Sequence, residues 1–161
     1  EKDIDILGKH AIENYVSGSS NKTAPVAGAV QYILNSINAD LNNKKIVIIG
    51  KGALVGKPVA QMFDRARISY DVITTSVDIE TRNEIIKNAD IIISGIGVSH
   101  FITPSMVKQG VILIDAGTSE QSGKLVGDID PACAEIASYI TPVPGGVGPV
   151  TVVALFENLL K

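Results

Sequence analysis

Four short and almost unbroken apolar runs punctuate the chain: Ile46–Ile49, Val72–Thr74 (entered from Tyr70 and Asp71), Ile91–Ser94 and Val111–Ile114. Runs of β-branched residues without alternation suit strands buried on both faces, as in a parallel sheet. Between them the apolar spacing changes to the helical period. Val26, Val30, Ile33, Leu34 and Ile37 predict an amphipathic helix over 25–38. Val55, Val59, Met62, Phe63 and Ala66 form the apolar stripe of a second helix, between the first two runs. "TRNEIIKN" after the second run reads as a helix opened by a T-x-x-E capping box at Thr81 and Glu84. Thr103-Pro104 and Asp130-Pro131 each set an N-cap residue before Pro at the first helical position. "SYI" (138–140) suggests a fifth, short strand, and a last helix over about 150–160 carries Val152, Val153, Phe156 and Leu159. "SGSSNKTA" (17–24) is the best hinge candidate, and "DLNNKK" (40–45) a polar turn.

Strands alternating with helices at this spacing mean βαβ units and an α/β fold. The expected architecture is a doubly wound, mostly parallel, Rossmann-like sheet in three layers. Ligands of such folds bind outside the carboxyl ends of the strands. The segments just after each strand, 50–56, 75–78, 95–101, 115–119 and 141–149, therefore become the shortlist for chemistry.

Composition narrows the classes. A chain of 161 residues with 45% hydrophobic residues is long enough to bury one ordinary core. A net charge of −3 argues against a dedicated nucleic-acid binder, which would show a basic patch. No apolar run approaches the roughly 18–20 residues of a membrane span. The polar start "EKDIDILGKH" has no signal-peptide character. One cysteine, Cys133, excludes an intrachain disulfide and fits a reducing, cytoplasmic setting. Cys133 lies in "PACAEIA", which reads as a helix holding a buried structural thiol. The chain begins with Glu1 rather than Met, so a fragment or processed product is expected.

The strongest chemical signal is "IVIIGKGALVGKP" (46–58), a strand followed by Gly50-x-Gly52-x-x-x-Gly56. Gly50 suits a tight strand-to-helix turn, and Gly52 lets backbone approach a pyrophosphate. A helix starting near Leu54, with Val55 beside it, would aim its N-terminal N–H groups at that pyrophosphate. Gly56 would allow close helix–sheet contact. NAD-binding domains of this type place Asp or Glu at the tip of the second strand, for the ribose 2′-OH. Here the tip reads Thr74-Thr75-Ser76. Nothing there repels a 2′-phosphate, Ser76 would donate to it, and Lys51 adds positive charge. Asp78 points the other way unless it caps the next helix. NADP is favoured, with NAD the alternative.

At these residues the chain resembles the bifunctional methylenetetrahydrofolate dehydrogenase/cyclohydrolase family, in its nucleotide-binding C-terminal half. "GKGALVGKP" is similar to that family's G-R-S-x-x-V-G-x-P loop, and "TPVPGGVGPVT" (141–151) to its T-P-V-P-G-G-V-G-P-M-T signature. "GKLVGDID" (123–130) resembles its G-x-x-V-G-D-V-D, and Asn158 matches a Leu/Ile-x-x-N. "EKDID" (1–5) resembles P-x-K-D-V-D-G, which makes Asp5 the residue expected to hold the pterin ring of a folate. The resemblance covers about residue 24 to the end. It implies oxidation of 5,10-methylenetetrahydrofolate to the methenyl form with NADP, then hydrolysis to 10-formyltetrahydrofolate, as part of purine and one-carbon metabolism. It assigns Gly50, Lys51, Gly52, Leu54, Val55, Gly56, Ser76, Gly97, Thr141, Gly148 and Thr151 to the cofactor. Asp5, Pro144, Gly145 and Gly146 go to the folate. It implies a homodimer and no metal. It also divides the chain into a 1–23 tail of an N-terminal catalytic domain, a 24–149 nucleotide domain, and a 150–161 helix returning toward the catalytic domain.

The departures from the family pattern are specific. Lys51 and Gly52 stand for Arg and Ser, and Lys grips phosphate only as a point charge. Val77 replaces a commonly basic neighbour of Ser76, Ile6 replaces a glycine, and "APVAG" (24–28) replaces P-C-T-P-x-G. "GVSH" (97–100) stands for G-x-P-G, bringing His100 near the expected nicotinamide side. The family's general acid/base is the lysine of a Y-x-x-x-K motif. None of Tyr15, Tyr32, Tyr70 or Tyr139 is followed four residues later by lysine. The expectation is a chain that binds nucleotide and does not turn over alone. Two alternatives compete with it: a different dehydrogenase on the same sheet, and a degenerate nucleotide-binding module without catalysis.

Overall fold

The structure is a computed structural model that describes residues 3–161. The first two residues of "EKDID" lie outside the described residues. Helix α1 spans Lys9–Ser17 and α2 spans Pro25–Ser36. Strand β1 (Ile46–Ile49) leads into α3 (Gly56–Ala66), β2 (Asp71–Ile73) into α4 (Ile79–Asn88), and β3 (Ile91–Ser94) into a 3-10 turn at Pro104–Met106. Then come β4 (Ile112–Asp115), a two-stranded hairpin of β5 (Ser119–Gln121) and β6 (Lys124–Val126), a 3-10 turn at Pro131–Glu135, β7 (Tyr139–Ile140) and α5 (Val147–Glu157).

Five strands form one parallel sheet in the order β2-β1-β3-β4-β7. Residue periodicity places the core on both of its faces. Ile46 and Ile48 of β1, with Ile91 and Ile93 of β3, join α2 and α3 residues such as Val30, Leu34, Val59 and Phe63 in one cluster. Val47 and Ile49, with Ile92, join Ile73, Ile86, Ile102, Leu113 and Cys133 in the other. The unbroken apolar runs follow directly, because successive side chains enter opposite cores. The architecture is the expected three-layer, Rossmann-like α/β fold. Cys133 is fully buried, and burial pushes its thiol up to about 11, away from reactivity.

Several local expectations are corrected. The cap of α4 is Asp78, whose carboxylate accepts from the Thr81 N–H at 2.9 Å, so Thr81 lies inside the first turn and opens no capping box. Those backbone hydrogen bonds hold the Asp78 carboxyl below its usual range. Thr103-Pro104 and Asp130-Pro131 start short 3-10 turns rather than α-helices. Ala66 is exposed, because α3 ends there and Arg67 turns out in the left-handed region. The fourth strand begins one residue later than expected, at Ile112.

Helix α5 begins earlier, at Val147, and the large apolar residues named for the last helix face outward. Val152, Val153, Phe156 and Leu159 are each between 51% and 60% exposed. The helix is apolar on nearly every side. On the side it gives to the core, Val147 and Val150 pack into the cluster that holds α2, and Ala154 meets Gly28 so closely that a Cβ on Gly28 would lie 3.4 Å from it. Two elements had no sequence signal strong enough to read. One is α1, which lies on α3 through the Tyr15 hydroxyl donating to the Pro58 carbonyl at 3.2 Å. The other is the exposed β5–β6 hairpin. Among the described residues, no helix is long and apolar enough to cross a membrane.

Candidate functional site

The chain runs outward from β1 to β2, then crosses back to β3 on the other side of β1. That reversal opens a crevice at the carboxyl ends of β1 and β3. The crevice holds about 740 Å³ and is lined by Gly50, Lys51 and Gly52 after β1, Thr74, Thr75 and Val77 after β2, and Gly95, Ile96, Val98 and Phe101 after β3. Ile79 and Arg82 of α4 close its outer end. Among the described residues two cations, Lys51 and Arg82, line it, and no carboxylate does.

The three glycines of the loop do three different things. Gly50 sits at φ +96°, and a Cβ there would lie 2.6 Å from the Ile96 side chain. Its N–H donates to the Ile73 carbonyl at 2.8 Å, tying the turn to β2. Gly56 lies where α3 starts, and a Cβ on it would run into the Gly50 carbonyl. Gly52 faces open space: a Cβ there meets nothing of the protein within 4 Å. Backbone that is bare and exposed at the mouth of a crevice can be approached closely by a bulky polyanion. Helix α3 starts at Gly56, not at Leu54, which is 62% exposed and outside the crevice lining. Val55 instead packs beneath Gly95, where any Cβ would strike it. Ser76 is exposed at the rim with its hydroxyl 2.7 Å from that of Thr74, and is not among the lining residues.

The 141–151 segment builds a second cavity of about 370 Å³, beside the end of β4. Pro144, Gly145, Gly146, Gly148 and Thr151 line it together with Asp115 and Thr118. The loop contains a cis Val143–Pro144 bond, and Gly145 stands at φ +105°. Thr141 is buried, and its hydroxyl accepts from the Asp115 N–H at 2.7 Å. The Thr151 hydroxyl is occupied on its own helix, donating to the Val147 carbonyl at 2.9 Å. Gly97, at φ +69°, sits against the Thr118 carbonyl between the two cavities.

Two buried carboxylates hold these loops, and neither was singled out by sequence reasoning. Asp128 is fully buried and accepts from the Ser94 hydroxyl at 2.7 Å and from the Ile96 and Val98 N–H groups at 2.8 Å. Asp115 is 3% exposed and accepts from the N–H groups of Gly117, Asp128 and Ile129 at 2.9–3.1 Å. Each carboxylate rests on a glycine of the other's segment. A Cβ on Gly117 would strike Asp128, and one on Gly127 would strike Asp115. Burial, with the Asp128 charge as a smaller contribution, raises the Asp115 carboxyl to about 6 against the pull of its three N–H donors. The visible signal was a carboxylate at a strand end followed two residues later by glycine, and the Gly-Asp pair at 127–128.

Asn158 is buried and staples the chain's two ends. It accepts from the Thr23 N–H at 3.2 Å and donates to the Thr23 and Ile4 carbonyls at 2.8 Å. Asp3 is a turn residue, accepting from the Ile6 and Gly8 N–H groups at 2.9 and 2.7 Å. Asp5 is exposed and lines neither cavity.

Residues 24–161 match the model of the tetrahydrofolate dehydrogenase/cyclohydrolase, NAD(P)-binding domain. The chain belongs to this family. It is 37% identical to the bifunctional protein FolD of Clostridium perfringens over 100% of its own length and 58% of that protein's. It superimposes on the FolD dehydrogenase/cyclohydrolase of Campylobacter jejuni with a TM-score of 0.90 at 35% identity, covering 99% of this chain and 57% of that one. It also superimposes on the Trypanosoma brucei FolD, solved in complex with NADP cofactor and inhibitor, with a TM-score of 0.87 at 31% identity, covering 98% and 57%. The chain thus spans somewhat over half the length of these relatives.

Against the family pattern, two of the departures share one geometry. Ile6 and His100 stand where FolD-type sequences carry glycine, and both have positive φ, 58° and 51°. A family glycine at each place is what a left-handed residue calls for. This chain adopts the conformation anyway. Ile6 is held there by burial and the Asp3 turn, and His100 by its N–H donating to the Gly127 carbonyl at 3.1 Å. His100 lines a separate cavity of about 280 Å³ with Asp115 and Thr141. It is absent from the crevice lining and from the 141–151 cavity.

Proposed function

We propose that this chain is the nucleotide-binding half of an enzyme that oxidises 5,10-methylenetetrahydrofolate with NADP and hydrolyses the methenyl product to 10-formyltetrahydrofolate. One observation carries the reading: a family-specific 141–151 loop and a glycine crevice lie at the carboxyl ends of the same parallel sheet. The residues present fit a dinucleotide. The bare backbone of Gly50–Gly52 ahead of α3 suits a diphosphate. The mostly apolar walls formed by Ile96, Val98 and Phe101 suit an adenosine. Bound NADP would supply the hydride acceptor.

The chain's own residues bind and orient. Lys51 places a point charge over the phosphates. Pro144, Gly145 and Gly146 offer a loop whose backbone can lie against a flat ring, and Asp115 with Thr141 holds that loop from below. Folate recognition by Asp5 belongs to this proposal and needs a wall that the chain does not itself provide around that residue. Among the described residues no lysine lines the 141–151 cavity, and the proposal assigns the general acid/base of the hydrolytic step to the other half of the enzyme. Assembly as a homodimer in the cytoplasm completes the proposal.

The test is titration calorimetry of the chain with NADP and NAD, beside a dehydrogenase assay of the chain alone and of the full-length protein. Nucleotide binding by the chain, with turnover only by the full-length protein, is expected. Binding of neither nucleotide, or turnover by the chain alone, would overturn it.

A further inference from the structure

We propose that Arg82 is the charged residue of this chain that selects NADP over NAD. The inference rests on the nucleotide reading of the crevice and adds the residue that sets its preference. Arg82 lies one turn into α4, just past the tip of β2, and lines the outer end of the crevice. In dinucleotide crevices that end faces the adenosine ribose, because the diphosphate lies over the glycine loop. The guanidinium is already placed. Its carbon lies 5.2 Å from the centroid of the Phe101 ring, and its Nε and one Nη2 hydrogen point at the Asn83 side-chain carbonyl, both at 3.3 Å. A guanidinium has five N–H donors, so three are left without a partner among the described residues. Stacked on an aromatic face, it loses little freedom when it takes up a phosphate edge-on.

Among the described residues, the lining holds no cation besides Arg82 and Lys51. Val77 is apolar, and the Ser76 hydroxyl is already 2.7 Å from Thr74 and outside the lining. The Asp78 carboxylate at the N-cap of α4 accepts from the Thr81 N–H. Lys51 lies in the glycine loop, between Gly50 and Gly52, and carries a point charge rather than a fork. A 2′-phosphate entering beside the tip of β2 therefore meets one cation free to bind it in a bidentate fork.

The experiment measures the dissociation constants of NADP and NAD, and of adenosine 2′,5′-bisphosphate and AMP, for the wild-type chain and for Arg82→Ala and Arg82→Lys. Circular dichroism checks that the variants are folded. The expected result is that Arg82→Ala weakens NADP and the bisphosphate by about 10- to 100-fold, the size of a charge-assisted hydrogen bond, and leaves NAD and AMP within about twofold. Arg82→Lys should recover part of that loss, since it keeps the charge without the fork. The wild-type preference for NADP should also shrink as salt rises. An equal loss for all four ligands would make Arg82 a base-stacking shelf and overturn the proposal. So would no loss for any, or a wild-type chain without preference for NADP; in both cases the crevice still binds nucleotide. If the wild-type chain bound none of the four, the nucleotide reading itself would fail and this inference with it.

Discussion

Replacing Asp115 by Asn tests the balance of forces under the site. Two effects oppose each other at this side chain. Burial to 3% exposure favours the protonated form, while three backbone N–H donors at 2.9–3.1 Å favour the ionised one. Burial wins, and the carboxyl is pushed up to about 6 from the ordinary 3.8. At about 1.4 kcal/mol per pH unit, that difference amounts to about 3 kcal/mol. The sign follows from proton uptake. Below 3.8 the carboxyl is protonated in folded and unfolded chains alike, and its contribution is fully present. Between 3.8 and 6 the unfolded chain ionises while the folded chain keeps its proton, so stability falls as pH rises. Above 6 the loss is complete.

Asn is neutral at every pH, so Asp115→Asn removes the slope. It also turns an amide NH₂ toward one backbone donor, costing about 1–3 kcal/mol throughout. Urea unfolding at pH 4, 5, 6 and 7 reads both terms by linear extrapolation. Comparing wild type with variant cancels the carboxylates that titrate the other way, among them Asp3, Asp78 and Asp90, which their hydrogen-bond partners hold low. The variant should be the less stable protein at pH 4 and should equal or exceed wild type at pH 7. A gap constant to within about 0.5 kcal/mol over that range would refute the argument. It would mean that the three N–H donors outweigh burial and that Asp115 is ionised throughout.

Three further outcomes are expected. Gly56→Ala drives a methyl group into the Gly50 carbonyl, and should cost about 1–3 kcal/mol in urea unfolding and weaken nucleotide binding in calorimetry, since both ends of the loop must shift. Asn158→Ala leaves the Thr23 N–H and two carbonyls without their partner, and should cost about 2–4 kcal/mol while raising the hydrogen-exchange rate of the Thr23 amide. Phe156→Ser should change the stability of this chain by less than about 0.5 kcal/mol, because the ring is 60% exposed; a loss above 2 kcal/mol in thermal or urea unfolding would place it in a core.

Phe156 also shows where a sequence stops being legible. Strands β1 and β3 could be read to the residue, because a strand buried on both faces is almost continuously apolar, as Ile46–Ile49 and Ile91–Ile93 are. Strand β4 slipped by one residue because Val111 is as apolar as the strand it precedes and just as buried. Helix α5 misled for the opposite reason. Its apolar residues run all round, so composition could not say which side meets α2; Val147 and Val150 join the core and Ala154 meets Gly28, while Phe156 faces out. Helix α1 buries only Tyr15, and the β5–β6 hairpin buries almost nothing, so neither leaves a periodic trace.

The site divides along the same line. Gly50 and Gly56 were readable because each answers a local backbone demand, a positive φ at Gly50 and the Gly50 carbonyl against Gly56, while Gly52 was readable from the spacing of the three alone. Asp115 and Asp128 answer demands from afar. Asp128 serves N–H groups 30 and 32 residues earlier in the chain, and Asp115 serves groups 13 and 14 residues later. No spacing rule announces such partners, yet they explain why glycines sit at 117 and 127. Each glycine is absent of side chain because a carboxylate occupies the space. The loops after β3 and β4 and the 141–151 loop are therefore one hydrogen-bonded unit, joined through Asp128, Asp115 and Thr141. A change at any one of the three should be felt in both cavities, which a loop-by-loop reading of the sequence would not lead one to expect.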